Sequence, residues 1–174
     1  MNTLTASRRH LEDFTVGEQL ELGSTSVSKQ MIISWAQQFD PLPFHLSEEA
    51  GKKSLLGGLA SSGWQTGALA LKALCDGFLN GVASAGGLGF SDLKWKKPVM
   101  VNDTIFVRGV ITSVRRSHSH PDRGIVTIDL RVTNQKGGEV MTMTLANMVE
   151  ARSTETMATP AQPYDVASGG SATP

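Results

Sequence analysis

The sequence predicts an α+β domain in which one long helix is wrapped by a curved antiparallel sheet, and three observations carry that expectation. A chain of 174 residues, 40% of them hydrophobic, is long enough for one well-buried core and too short for two full domains. Within 62–80 the core-compatible residues recur at steps of three and four, the mark of a helix with one buried face. Beyond 104 the period falls to two, as in strands with one wet face. A long apolar helix followed by a strand meander closes as a sheet curved around that helix.

Taken in order, 19–27 reads as a first strand. The segment 29–38 reads as a short helix, with Ser28 as its cap and Met31, Ile32, Trp35 and Phe39 on one side. In the long helix Trp64, Gly67, Ala68, Leu71, Leu74, Cys75, Phe78 and Leu79 form the apolar stripe. Ser61 or Ser62 can cap its start and Gly81 can end it. Ala68, Ala70 and Ala73 are strong helix formers whose small side chains let a sheet pack close. The glycine-rich segment 77–89 marks a break, and 88–95 and 104–114 follow as strands. In 126–133, Val126, Ile128, Leu130 and Val132 alternate with Thr127, Asp129, Arg131 and Thr133. A turn at 135–138 then returns the chain as the strand 140–149, an antiparallel hairpin in which Met141 and Met143 are packing residues. The domain is expected to span 14–152, after an N-terminal extension over 1–13. The segment 153–174, mostly Ser, Thr, Ala, Pro and Gly, has no large apolar surface to offset the entropy of ordering and reads as a flexible tail.

Sixteen basic residues balance sixteen acidic ones, so no global field would hold nucleic acid or an anionic membrane. The one cysteine, Cys75, excludes an internal disulfide and a cysteine-based metal cage, and it sits on the apolar stripe as a core residue. With no signal-like apolar run near Met1 and no stretch long enough to span a bilayer, a soluble cytoplasmic protein is expected. His118 and His120 are close together but have no third or fourth ligand nearby, so no metal site is expected. From 94 to 131 the chain is rich in cations: Lys94, Lys96, Lys97, Arg108, Arg115, Arg116, Arg123 and Arg131. Such a half suits the phosphate groups of a ligand; equally, these are solvated sheet charges.

Chemistry concentrates in Phe39-Asp40-Pro41-Leu42-Pro43-Phe44-His45. Two prolines fix φ and discourage helix, so Asp40 and His45 can be held facing one cavity. A carboxylate and an imidazole are the pair that water addition needs, one accepting a proton from water and the other handling the proton exchanged at carbon. The plain alternative is a loop cap and a histidine bonded to backbone. Downstream, 55–64 leads a glycine-rich loop into the long helix, where free N–H groups and the positive end of the helix dipole gather. There the Gly63 N–H can polarise a thioester carbonyl, or Gly63 can simply follow an ordinary N-cap.

Asp-x4-His, then Gly-Gly-Leu-Ala-Ser-Ser-Gly-Trp over 57–64, Asp-Leu-Lys-Trp-Lys-Lys-Pro-Val over 92–99 and Pro-Asp-Arg-Gly over 121–124 together resemble a bacterial MaoC-like acyl dehydratase. The resemblance covers about 14–152. It implies a hotdog fold, a homodimer or higher assembly with the acyl tunnel near the subunit interface, and the chemistry of (R)-specific enoyl-CoA hydratases. It further implies that Asp40 and His45 act on the water and that Gly63 supplies the oxyanion N–H. Gly58, Ser62, Trp64 and Arg123 are the candidate contacts to an acyl-CoA or acyl-carrier-protein substrate, and no metal or redox cofactor is expected. Two departures stand out. Leu42 replaces the Asn of the family's fuller Asp-x-Asn-Pro-x-His motif, and the His-Gly pair at the helix start is absent, with Ser62 before Gly63 and Gln65 after Trp64. They keep open a changed substrate or a non-catalytic acyl-CoA-binding subunit. A hotdog thioesterase is the other rival, but its acid would have to be Asp76, far from the start of the helix.

Overall fold

The computed structural model describes residues 8–152; the expected tail over 153–174 lies outside the described residues. After a 3-10 turn at Leu11–Asp13 come β1 (Gln19–Ser26), α1 (Lys29–Phe39), α2 (Pro43–Leu46), α3 (Glu48–Lys53) and α4 (Gly63–Gly77). A second 3-10 turn (Leu79–Gly81) leads into β2 (Ser84–Trp95), β3 (Thr104–Arg116), β4 (Arg123–Asn134) and β5 (Glu139–Glu150). The five strands form one antiparallel sheet in the order β1-β3-β4-β5-β2. All the helices therefore lie in the connection from one sheet edge to the other.

The alternation in β4 does what period two requires. Val126, Ile128, Leu130 and Val132 are all buried, and the antiparallel register sets Ile128 beside Leu145 and Leu130 beside Met143. From β3, Ile105, Val107 and Ile111 join the same core. Asn134 Oδ1 accepts hydrogen bonds from Lys136 N–H (3.1 Å) and Gly138 N–H (2.9 Å), and Gly137 takes φ 73°, so the β4–β5 turn uses the residue best able to adopt that angle.

Ser62 does cap α4, its Oγ accepting from Trp64 N–H at 3.2 Å. The helical period is as expected, but the phase is not. The buried side carries Gln65, Thr66, Ala70, Ala73 and Leu74, whereas Trp64 is 63% exposed and Leu71, also expected inside, is 39% exposed. Small residues win the sheet side because the approach is close: a Cβ on Gly77 would fall 2.6 Å from Leu22 O of β1. Of the larger apolar residues of α4, Leu74 is in the core, while Trp64 and Leu71 face outward in the single chain. In α1, Ser28 caps as expected, and Ile32 with Ala36 goes fully inside while Phe39 stays exposed.

Three further expectations change. The stretch around His45 is not helix-free, because Pro43 occupies the first position of α2, where a missing N–H and a fixed φ do no harm. The glycine-rich stretch is a break only in its first half, between the end of α4 at Gly77 and the start of β2 at Ser84; Gly86, Gly87 and Gly89 lie inside β2, at register shifts along an edge strand. Ahead of Phe14, Leu11 is fully buried in the core. Charges clamp that segment. Arg9 reaches Glu18 at 2.6 Å, Arg116 reaches Glu12 at 2.9 Å, and Arg152 grips both oxygens of Asp13 at 2.6 Å. The Arg152 guanidinium, helped by the His10 N–H, holds the Asp13 carboxyl down at about 2. Among the described residues no helix is long and apolar enough to cross a membrane.

Candidate active site

His45 is 6% exposed within α2, and its Nδ1 lies 2.7 Å from Ala60 O. A carbonyl only accepts, so Nδ1 carries the proton, and in the neutral ring Nε2 is left as an acceptor. Phe44 packs against the imidazole edge with ring centroids 4.6 Å apart. Asp40 is the C-cap of α1, its N–H donating to Ala36 O at 2.9 Å, while Leu42 N–H returns to Asp40 O at 2.8 Å. This tight turn brings Asp40 Oδ2 to 3.6 Å from His45 Nε2. That is beyond a direct hydrogen bond. Two acceptors so spaced suit a water donating one proton to each, with its lone pairs left free.

A second wall, in contact with His45 through Ala60, is the loop entering α4. Ser61 N–H donates to Val99 O at 2.8 Å and Val101 N–H to Leu59 O at 3.0 Å, so the loop is tied to the strand-like stretch before β3. The buried Gln65 ties it to α1 as well: its amide donates to Met31 O at 2.7 Å and accepts from Ser61 Oγ at 2.8 Å. Ser62 Oγ takes the Trp64 N–H. Gly63 N–H, in the first turn of the helix, has no protein acceptor among the described residues, and the helix dipole adds partial positive charge there.

These groups meet in a cavity of about 420 Å³ lined by Asp40, His45, Ser61, Ser62, Gly63 and Trp64, with Phe44, Leu56, Trp95 and Val99 among its walls. Five of the expected site residues thus come together, and two do not. Gly58 is buried behind the wall, where a Cβ would meet Met100 Cε at 2.7 Å; its small size serves packing. Arg123 opens β4, is paired with Asp122 at 2.7 Å, and does not line the cavity. Leu42, at the position of the motif Asn, is 46% exposed and also stays outside the lining.

Of the basic residues only Lys96 and Lys97 reach the cavity, and Lys96 is shared with Glu139 at 2.7 Å. Trp95, Gln65 and Ser61 were not singled out as site residues by sequence. The signal available for Trp95 was its place inside the 92–99 motif, while nothing in a strand pattern says that its ring crosses to a helix start. A larger depression of about 680 Å³ on the sheet is lined by Arg108, Asp129, Arg131 and Thr142 and contains neither Asp40 nor His45. Convergent chemistry, not volume, selects the smaller cavity. Among the described residues no three His, Cys, Asp or Glu cluster as a metal site would require.

The chain is similar to known proteins in sequence and in fold. YdeM of Bacillus subtilis, an uncharacterized protein, is 29% identical over 140 residues, covering 80% of this chain and 98% of its own. The crystal structure of a MaoC-like dehydratase from Rhodospirillum rubrum superposes with a TM-score of 0.74 at 36% identity, covering 83% of this chain and 99% of that one. R-hydratase PhaJ1 from Pseudomonas aeruginosa matches with a TM-score of 0.66 at 21% identity, covering 92% and 96%, which speaks for the fold alone. Residues 13–134 match the family model described as MaoC like domain, a span that takes in Asp40, His45, Gly63 and all but one strand of the sheet. The chain therefore belongs to the MaoC-like dehydratase family and has its hotdog fold.

Proposed function

We propose that this protein is a hydratase/dehydratase that adds water reversibly to a trans-2-enoyl thioester of CoA or of a carrier protein, giving the 3-hydroxyacyl thioester. The observation that carries the reading is the pairing of two acceptors, Asp40 Oδ2 and His45 Nε2, 3.6 Å apart, in the same cavity as the unshared Gly63 N–H. The thioester carbonyl accepts from Gly63, which draws the π electrons of the double bond toward oxygen. The water held between Asp40 and His45 attacks the β-carbon. One of its protons stays as the new hydroxyl, while the other passes to a member of the dyad and from it to the α-carbon on the same face, so that the enolate collapses to product. Addition is therefore syn, and atoms and charge balance with no other reactant. The R-hydratase activity named for the PhaJ1 neighbour agrees with this reading.

The active unit is proposed to be a homodimer. β2 is an edge strand exposed along almost its whole length, with Leu88, Phe90 and Trp95 open to solvent, and Leu71 of α4 is exposed too. A free strand edge beside outward apolar side chains calls for a self-complementary partner. The thioesterase reading is weaker: Asp76 is engaged by Lys72 and, thirteen residues along α4 from Gly63, lies roughly 20 Å away at 1.5 Å per residue. Incubation with a panel of enoyl-CoAs, read by mass spectrometry, tests the proposal. Hydration adds one water to the intact thioester. Release of free CoA would instead mark a thioesterase, and binding without conversion a non-catalytic subunit.

A further inference from the structure

The first turn of α4 is held by a residue that reaches it from the far edge of the sheet. Trp95 ends β2, where its backbone pairs with Met141 of β5, and just beyond it Lys96 N–H donates to Val140 O at 2.9 Å. From this anchored position the indole Nε1–H donates to Gly63 O at 2.9 Å. The ring lies so close over the same residue that a Cβ on Gly63 would fall 2.6 Å from Trp95 Cε2 and 2.8 Å from Nε1. Trp64 meets that ring edge-on, with centroids 5.3 Å apart and planes at 78°.

With the ring in this position only glycine fits at 63, and glycine has more backbone freedom to lose than any other residue. The N-cap does not remove that freedom, because Ser62 Oγ is engaged with Trp64 N–H and leaves Gly63's own N–H unheld. Beyond the helix's own hydrogen bonding, the side chain that covers the Gly63 Cα and reaches its carbonyl is Trp95.

We propose that Trp95 is a positioning residue for the oxyanion donor: indole and ring together fix Gly63 so that its N–H keeps one direction toward the thioester oxygen. The proposal rests on the hydratase reading above. A donor acts most strongly where charge develops, provided that it is already oriented. Loosening it thus lowers the rate of the bound substrate and leaves ground-state binding nearly intact.

The test places β-(3-benzothienyl)alanine at position 95 of the full chain, keeping the shape of the indole while replacing its N–H by sulfur, alongside Trp95→Phe. With crotonyl-CoA or the best enoyl-CoA of the panel, the isostere is expected to lower kcat about fivefold to tenfold, the rate equivalent of one neutral hydrogen bond. KM should stay within about twofold. The Gly63 amide signal in a ¹H–¹⁵N spectrum should move and its hydrogen exchange quicken. Trp95→Phe should show the same split with a larger fall, and if it does not fold the isostere still decides. Wild-type kcat in the isostere, an unmoved Gly63 amide, or a loss confined to KM would overturn the positioning role while the hydratase reading stands. A wild-type protein that hydrates no enoyl-CoA would overturn both, and it is recognised before any variant is made.

Discussion

Asp40→Asn is the substitution that best separates chemistry from folding. Its carboxylate stands 3.6 Å from His45 Nε2 and makes no direct hydrogen bond to it, so the amide removes a proton acceptor without orphaning a buried partner. Stability should change by less than about 1 kcal/mol, the net worth of one ordinary hydrogen bond. The rate should fall about 10²-fold to 10⁴-fold, the usual contribution of a positioned acid or base. His45→Gln behaves differently. It takes away the donor to Ala60 O at 2.7 Å in a buried setting, so a loss of about 1–3 kcal/mol for the unsatisfied carbonyl accompanies the loss of rate. On the proposed mechanism the pair shares one water, so the double variant should be hardly slower than the worse single one. Hydration of enoyl-CoA is followed by loss of the conjugated thioester absorbance, with circular dichroism and thermal melts reporting the fold and calorimetry the binding of acyl-CoA. Full hydratase activity in a folded Asp40→Asn protein would end the catalytic assignment.

Light scattering at micromolar concentration should give an oligomer. Leu71→Glu combined with Phe90→Glu should shift it to monomer, since each change forfeits about 1.5–3 kcal/mol of apolar burial and a two-fold interface counts it twice; an unchanged mass would place the interface elsewhere. Asp13 has its pKa lowered to about 2 from the ordinary 3.8, so its contribution is present above the ordinary value and fades as pH falls toward 2. Asp13→Asn should therefore melt below wild type at neutral pH and converge with it near pH 2, whereas a gap constant with pH would mean that the Arg152 clamp is not electrostatic. Gly51→Ala puts a Cβ 2.4 Å from the backbone oxygen of Gly58, which cannot swing aside. A cost of about 1–3 kcal/mol should lower the melting temperature by about 3–10 °C, and a melt identical to wild type would show that the α3 contact is looser than drawn.

Periodicity made the β4–β5 hairpin and its turn legible, because a side-chain period of two and a turn rich in Asn and Gly are local properties of the chain. The same holds for the capped starts of α1 and α4. It does not hold for the phase of α4. Both of its faces carry apolar residues, and which one meets the sheet depends on how near β1 comes, as the Gly77 to Leu22 approach shows. The glycines of β2 misled for a related reason: an edge strand tolerates bulges and positive φ that a central strand would not.

Local period and spacing were enough to read the α+β class from the sequence, and the resemblance across four motifs was enough to read the family and to single out Asp40 and His45 as candidates. Tertiary structure decided which neighbours share their cavity. It turned His45 so that Nδ1 is spent on Ala60 and Nε2 is free. It also removed Gly58 and Arg123 from the lining and carried Trp95 from a sheet edge onto Gly63. These are contacts between residues 15 to 32 positions apart, and their geometry follows from the way the sheet curves around the helix, which no local pattern encodes.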